Sequence, residues 1–325
     1  MRLRPTQLDV TDLDEAAAFL RDCEEVMLTS HVNSDGDGIG GCLALAGLLR
    51  KLGKSPSIVL QDVPAHAYAF LADFDDIIQA TTPAARTFDR VIVLDCPQIE
   101  RIGTATESVA EDAAVLNLDH HVDNQRFGDV NVASDEVCST CELVYHIAAH
   151  MELEIEADTA EQLYAGIIFD TGNFRYSLTT PISMEVAAEL VRCGARLDHI
   201  ADRLYNNSTL GSVKLVGRAI ESLQLYCDAR FAILHLTNQD MQLGDPEAAV
   251  NYGLMVGGVE VTALLREEQP GKFRISLRSR ETVDVSALAH GFGGGGHARA
   301  AGCRLEGTAE EVRHLLQEAV GKALP

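Results

Sequence analysis

Short apolar runs recur through the first part of the chain, and most end directly on polar or acidic residues. The runs at 26–29, 57–60, 91–94 and 113–118 have strand length and are continuous rather than alternating, as strands buried on both faces are. Between and after them, apolar positions return with helical spacing over 11–21, 38–51, 139–149, from 159, and over 181–193, 198–204 and 211–223. Gly53 and Gly194 stop two of these helices and Pro181 opens one. Gly40, Gly41 and Gly47 lower helix propensity in 38–51, which predicts close approach of neighbouring backbone there. The stretch 64–76 reads as mixed helical and ends in an acidic cluster. The order predicts an α/β unit, a parallel sheet with helices on both faces.

Beyond Cys227 the texture changes. Strands are expected at 231–236, 259–265 and 273–277, the last two joined as a hairpin around Pro270-Gly271. A short helix at 284–290 and a closing amphipathic helix at 308–320 flank a glycine run, Gly293 to Gly296, that interrupts the pattern. The expectation is a catalytic domain over 1–204, a linker and connecting helix over 205–224, and a smaller mixed α/β domain over 225–325. No internal repeat is visible.

With 325 residues, 46% of them hydrophobic, the chain is long enough for two cores. No apolar stretch reaches bilayer length, and Met1-Arg2-Leu3-Arg4 turns polar at Gln7, Asp9 and Asp12 without a signal-peptide core. A cytoplasmic location is expected. The net charge of −23, from 26 basic and 49 acidic residues, argues against a long-duplex binder. It leaves room for a small phosphorylated substrate met by metal ions and a few arginines. Of eight cysteines only Cys138 and Cys141 form a C-x-x-C, with no second pair to complete a thiolate zinc site. They read as small buried side chains near a helix start, and all eight as reduced.

Candidate chemistry gathers where the runs end. His31-Val32-Asn33-Ser34-Asp35-Gly36-Asp37 follows the first, Asp95 the third, and Asp119-His120-His121 the fourth, while Asp170 closes a helical stretch. Taken singly each has an ordinary explanation, as a turn, a cap or a polar loop. Asp35-Gly36-Asp37 lacks the spacing of an EF-hand loop. Ligands of parallel sheets bind beyond the carboxyl ends of the strands, which gives these distant residues one location. His31, Asp35, Asp37, Asp95, His120 and Asp170 are oxygen and imidazole donors without thiolate. That set favours Mn²⁺, Mg²⁺, Fe²⁺ or Co²⁺ over a structural zinc. It exceeds what one octahedral ion needs, so two ions about 3.5–4 Å apart are expected, with Asp95 bridging. His66, His146, His150, His199, His235, His290 and His314 have no such company.

These motifs, with Asp170-Thr171-Gly172-Asn173-Phe174-Arg175 and Gly293-Gly294-Gly295-Gly296-His297 before Ala300-Ala301-Gly302, resemble those of the DHH–DHHA1 phosphoesterases. Within that family the chain is similar to the stand-alone, two-domain bacterial proteins acting on oligoribonucleotides and 3'-phosphoadenosine 5'-phosphate. The resemblance runs from about Met27 to Cys303; Ser34 stands where the family usually has proline. It implies one ion held by His31, Asp35 and Asp95, and a second by Asp37, Asp95, His120 and Asp170. It further implies His121 on the scissile phosphate, with Asp119 orienting an imidazole. The second domain would capture substrate phosphate through Arg278 and Ser279, the backbone N–H groups of Gly295 and Gly296, and His297, with Arg280 and Arg299 as further candidates.

The resemblance implies hydrolysis of short oligoribonucleotides to 5'-mononucleotides and of 3'-phosphoadenosine 5'-phosphate to AMP and phosphate, by water and without a covalent intermediate. A cleft between two domains would select short substrates. The expected partners are short RNAs and small phosphorylated nucleotides, with a homodimer as a further expectation and neither long duplex DNA nor a membrane. The alternatives are a cyclic di-AMP or pApA phosphodiesterase, a RecJ-like single-strand exonuclease, and a non-catalytic nucleotide sensor. The complete ligand set speaks against the sensor. Gly293–His297 speaks against a pyrophosphatase with a different second domain.

Overall fold

Helix α1 (Val10–Asp22) starts on Asp9, whose carboxylate accepts the Thr11 N–H, and leads into strand β1 (Glu25–Thr29). Helix α2 (Gly36–Lys51), strands β2 (Ser55–Leu60), β3 (Ile78–Gln79), β4 (Phe88–Leu94), β5 (Val109–Asp119) and β6 (Val130–Ala133), and helices α3 (Thr140–His150), α4 (Ala157–Asp170), α5 (Pro181–Arg192) and α6 (Leu197–Tyr205) follow. The computed structural model describes residues 8–325 apart from Asp245, Glu247 and Ala248, with His297 described by its backbone alone. It divides into two compact units, Met1–Asn207 and Ser208–Pro325.

The first unit is built on a six-stranded sheet of order β3-β2-β1-β4-β5-β6, every pair parallel. Val26, Leu28, Ile92 and Leu94 project to one face and pack with α1–α4; Met27, Val91 and Val93 project to the other. The second face is covered by Ile102 and Ala105 of a 3-10 segment, Ile99–Ser108, rather than by a regular α-helix. Chain order reverses between β1 and β4, the switch point at which open parallel sheets bind ligands. A side chain at Gly40 would stand 2.5 Å from the Gln162 carbonyl of α4, so the glycine admits the close crossing that its position in a helix predicts.

Two local expectations change, and two short strands are added. Asp37 lies in the first turn of α2, which Asp35 caps, rather than in a loop before it. The 64–76 stretch contains only two short 3-10 turns, His66–Tyr68 and Phe74–Asp76. The short strands β3 and β6 lie at the two edges of the sheet.

In the second unit α7 (Leu210–Glu221), β7 (Gln224–Tyr226), β8 (Phe231–Leu236), α8 (Val250–Leu254), β9 (Val261–Gln269), β10 (Lys272–Ser279), α9 (Val285–His290), β11 (Gly295–His297), β12 (Ala300–Glu306) and α10 (Ala309–Ala323) form a mixed layer. The sheet order is β11-β12-β10-β9-β8-β7, with only β8 and β9 parallel. Phe273, Ile275 and Leu277 face a core closed by α9 and α10, while Leu234, Leu236 and Leu264 meet α7 and α8 on the other face. The glycine run is not an interruption: Gly295–His297 pairs antiparallel with β12. A side chain at Gly296 would stand 2.5 Å from the Ala300 carbonyl, so this tight pairing excludes a Cβ. Among the described residues no helix is long and apolar enough to cross a membrane.

Candidate metal centre

The carboxyl ends of β1, β4 and β5 and the C-terminus of α4 bring six predicted ligands together. Three overlapping groups have donor atoms within 4.8 Å of one another: His31, Asp35 and Asp95; Asp37, His120 and Asp170; and Asp95, His120 and His121. Asp95 belongs to two of them. Its Oδ2 lies 3.4 Å from His31 Nε2, and its Oδ1 lies 3.5 Å from His120 Nε2 and 3.6 Å from His121 Nδ1. Asp95 reaches this position with φ at 53°, the left-handed region that Asp tolerates better than most residues.

The rings of His31 and His121 are oriented from behind. His31 donates Nδ1–H to the Val32 carbonyl at 2.9 Å, which turns Nε2 towards Asp35 and Asp95. His120 Nε2 stands 3.2 Å from Asp170 and 3.9 Å from Asp37. His121 donates Nδ1–H to the buried Asp119 at 2.7 Å, and Asn124 donates to the other Asp119 oxygen at 2.6 Å.

Asp37 is held by groups that motif spacing does not reveal. Thr140 and Cys141, at the start of α3, donate their backbone N–H groups to its two oxygens at 2.6 and 2.9 Å. A helix leaves such donors without intrahelical partners, and its dipole favours an anion there. The sequence signal was the Ser139 cap, whose hydroxyl accepts the Glu142 N–H; nothing in the chain pattern says that the next two amides serve Asp37. Asn124 was likewise overlooked, and its only signal is its place three residues beyond His121.

The electrostatics match a cation site. Burial, then the Asp95 charge, pushes Asp37 up to about 6 despite His120. Burial and the Asp37 charge hold Asp170 well above the carboxylate range. For Asp95 burial acts upward, but His120 and His31 outweigh it and leave the group well below that range. Burial acts downward on His31 and His120, yet Asp35 and Asp95 around the first, and Asp170 and Asp95 around the second, hold both well above the usual imidazole value. Buried carboxylates that protonate to relieve mutual repulsion, beside imidazoles forced to stay charged, are what a divalent ion would replace. The donor set is hard oxygen and imidazole, which fits Mn²⁺ or Mg²⁺ better than a structural zinc.

The second unit carries the predicted phosphate-binding residues. Arg278 is half-buried on β10, and its Nη1 donates to the Leu277 carbonyl at 2.9 Å. Ser279, the next strand residue, is buried on the opposite face and donates to the Ala298 carbonyl at 3.3 Å. Arg280 gives its guanidinium to the carbonyls of Val259 and Leu254, and Arg299 donates to the Val283 carbonyl at 2.8 Å, so both brace local backbone. Gly295 and Gly296 pair with β12, and the His297 side chain lies outside the described residues. Of the other histidines, the buried His146 meets Glu142 and His150 meets Asp14.

The model of the DHH family N-terminal domain matches residues 25–167, and that of the DHHA1 domain matches 229–323. The bifunctional oligoribonuclease and PAP phosphatase NrnA of Thermus thermophilus is 31% identical over 285 residues, covering 87% of this chain and 84% of the relative. The protein of the same name from Bacillus subtilis is 26% identical, covering 90% and 93%. A solved exopolyphosphatase-related protein of Bacteroides fragilis superposes with a TM-score of 0.90 at 26% identity, covering 98% of both chains. With its parallel-sheet and mixed-sheet units and its strand-end carboxylate and imidazole groups, the chain belongs to the DHH–DHHA1 family, as an NrnA-type phosphoesterase.

Proposed function

We propose that the chain cuts short oligoribonucleotides to 5'-mononucleotides and 3'-phosphoadenosine 5'-phosphate to AMP and phosphate, using two divalent ions. The observation that carries this reading is the Asp95 carboxylate, which faces His31 with one oxygen and His120 with the other. In this assignment His31, Asp35 and Asp95 hold one ion, and Asp37, Asp95, His120 and Asp170 hold the other, with Mn²⁺ the first choice. Bound ions of this kind lower the pKa of a water and neutralise charge on phosphoryl oxygens.

The chain's own residues position and polarise. Asp119 holds His121 by Nδ1, which fixes the ring orientation and leaves Nε2 as the atom to meet a phosphoryl oxygen. Thr140 and Cys141 keep Asp37 in one rotamer. Burial pushes the Cys141 thiol well above the ordinary range, so the nearest cysteine is no nucleophile, which agrees with direct attack by water. In the second unit Arg278 is assigned to the substrate's terminal phosphate, with Gly295, Gly296 and His297 as further candidates, while Ser279, expected beside Arg278, is turned to the other face, and Arg280 and Arg299 brace local backbone. The names of the Thermus and Bacillus relatives carry both activities, which supports the substrate class.

The test is a parallel assay with Mn²⁺ of 3'-phosphoadenosine 5'-phosphate, pApA, cyclic di-AMP and RNAs of two, five and twenty nucleotides. The reading expects turnover of the bisphosphonucleotide and of the shortest RNAs, pApA among them, to exceed that of cyclic di-AMP and the twenty-nucleotide RNA. Equal turnover of the dinucleotide and the twenty-nucleotide RNA would contradict it.

A further inference from the structure

Of the twelve phenylalanines and tyrosines in the first unit, only Phe169, Tyr176 and Tyr205 are exposed. All three fall around the end of α4, where Asp170 stands. Phe169 directly precedes Asp170 in the last turn of that helix. A side chain at Gly36 would stand 2.9 Å from Phe169 Cβ and 3.0 Å from its Cγ. Gly36 lies between Asp35 and Asp37, so the root of the Phe169 ring abuts the backbone that joins two predicted ligands.

The turn after α4 brings Tyr176 back to the same place. Its backbone N–H and that of Arg175 both donate to the Thr171 carbonyl at 2.9 Å. Gly172 has φ at 56°, and a side chain there would run into the Tyr176 ring, which therefore lies on the backbone two residues from Asp170. Arg175 gives Nε–H to the Gly172 carbonyl at 2.7 Å, and its guanidinium has no other partner among the described residues. Burial raises the Tyr205 hydroxyl, while Arg175 lowers it and Tyr176 raises it, which makes these three side chains neighbours.

A single exposed aromatic is ordinary on a protein surface. Here Phe169 is 41% and Tyr176 45% exposed, and neither ring meets another ring among the described residues. Open π faces next to a guanidinium with unused N–H groups, at the edge of the metal centre, match a nucleoside phosphate. The base offers a face to stack on, and the phosphate a charge for arginine. A purely apolar partner would use the rings and leave the cation idle.

Resting on the phosphoesterase reading above, we infer that Phe169 is the platform on which the base of the bound nucleotide stacks, with Tyr176 flanking it. The experiment uses the full chain with Mn²⁺ and the variants Phe169→Ala, Phe169→Tyr and Phe169→Trp. One arm compares kcat/KM for 3'-phosphoadenosine 5'-phosphate and for ribose 3,5-bisphosphate, which has a hydroxyl in place of the base. The other arm uses Phe169→Trp, whose indole is the only one in a chain without tryptophan. It follows the fluorescence as AMP or ribose 5-phosphate is added.

Phe169→Ala is expected to lower the ratio of kcat/KM between the two bisphosphates about tenfold, mainly through KM. Phe169→Tyr should keep that ratio. AMP should quench the tryptophan, and ribose 5-phosphate should not. An unchanged ratio, equal losses on both substrates, or no quenching by AMP overturns the inference. So does a ratio that holds while Phe169→Ala separates copies of the chain, which would make this face a contact between subunits. If the wild type hydrolyses neither bisphosphate but AMP alone quenches Phe169→Trp, the platform stands and the phosphoesterase reading falls.

Discussion

Cys141 donates its backbone N–H to Asp37 Oδ1 at 2.9 Å across 104 positions of sequence, and so ties the first turn of α2 to the first turn of α3. The same thiol fills the space that Gly166 of α4 leaves open, since a side chain at Gly166 would stand 2.3 Å from Cys141 Sγ and 2.8 Å from Asp37 Oδ1. Gly166→Ala therefore forces α4 off α3 or displaces the carboxylate. The expected outcome is a loss of about 1–3 kcal/mol in urea unfolding and weaker Mn²⁺ binding by calorimetric titration. Unchanged Mn²⁺ affinity would show that Asp37 is placed by something other than this packing.

Asp95→Asn isolates charge from shape, because asparagine accepts the positive φ that this position requires. Two ion positions share the carboxylate in the proposed assignment, so kcat should fall by at least about a hundredfold and the ion stoichiometry should drop. Chelation of the wild-type protein should abolish turnover, and added Mn²⁺ should restore it. Near-normal activity in Asp95→Asn would remove the bridging role.

Legibility in the sequence followed burial. Strands β1 and β4 are buried through most of their length and β5 over its last four residues, so apolar runs marked them, and the residues ending those runs were natural ligand candidates. Strand β3 has two exposed residues and no pattern to detect. Strand β11 contradicts local propensity, since glycine is a poor strand former; pairing with β12 overrides that. The groups behind the ligands were the hardest to see. Thr140 and Cys141 act through backbone amides, which leave no mark on residue type, and the closeness of Phe169 to Gly36 exists only once α2 and α4 have packed.

The C-x-x-C pair is a packing device in this fold. Burial, the first cause in each case, raises both thiols well above the ordinary range, and the acids Glu142 and Asp37 add to it. Thiolate is the reactive form, so Cys138 and Cys141 should resist alkylation in the native protein. The half-exposed Cys193 and Cys227 should react first. Mass mapping after brief iodoacetamide treatment checks this; early labelling of Cys141 would mean that the α2–α3–α4 junction opens readily.

Glu260 supplies a pH dependence remote from the metal centre. It is 8% exposed, and its Oε1 accepts the backbone N–H groups of Glu281, Thr282 and Val283 at 3.0, 2.5 and 3.1 Å. Burial acts to raise its pKa, but the three donors outweigh burial and hold it below the usual glutamate value. The folded state therefore binds the proton less readily than the unfolded chain. The stabilisation is complete above the unfolded pKa and disappears as pH falls through the folded one. Glu260→Gln keeps an acceptor oxygen and loses the charge, so it should cost about 1–3 kcal/mol at neutral pH. Urea unfolding of both proteins at stepwise lower pH should show that gap closing below about pH 4.5. A gap that stays constant with pH would mean that the loop at 281–283 is held by shape and not by the carboxylate charge.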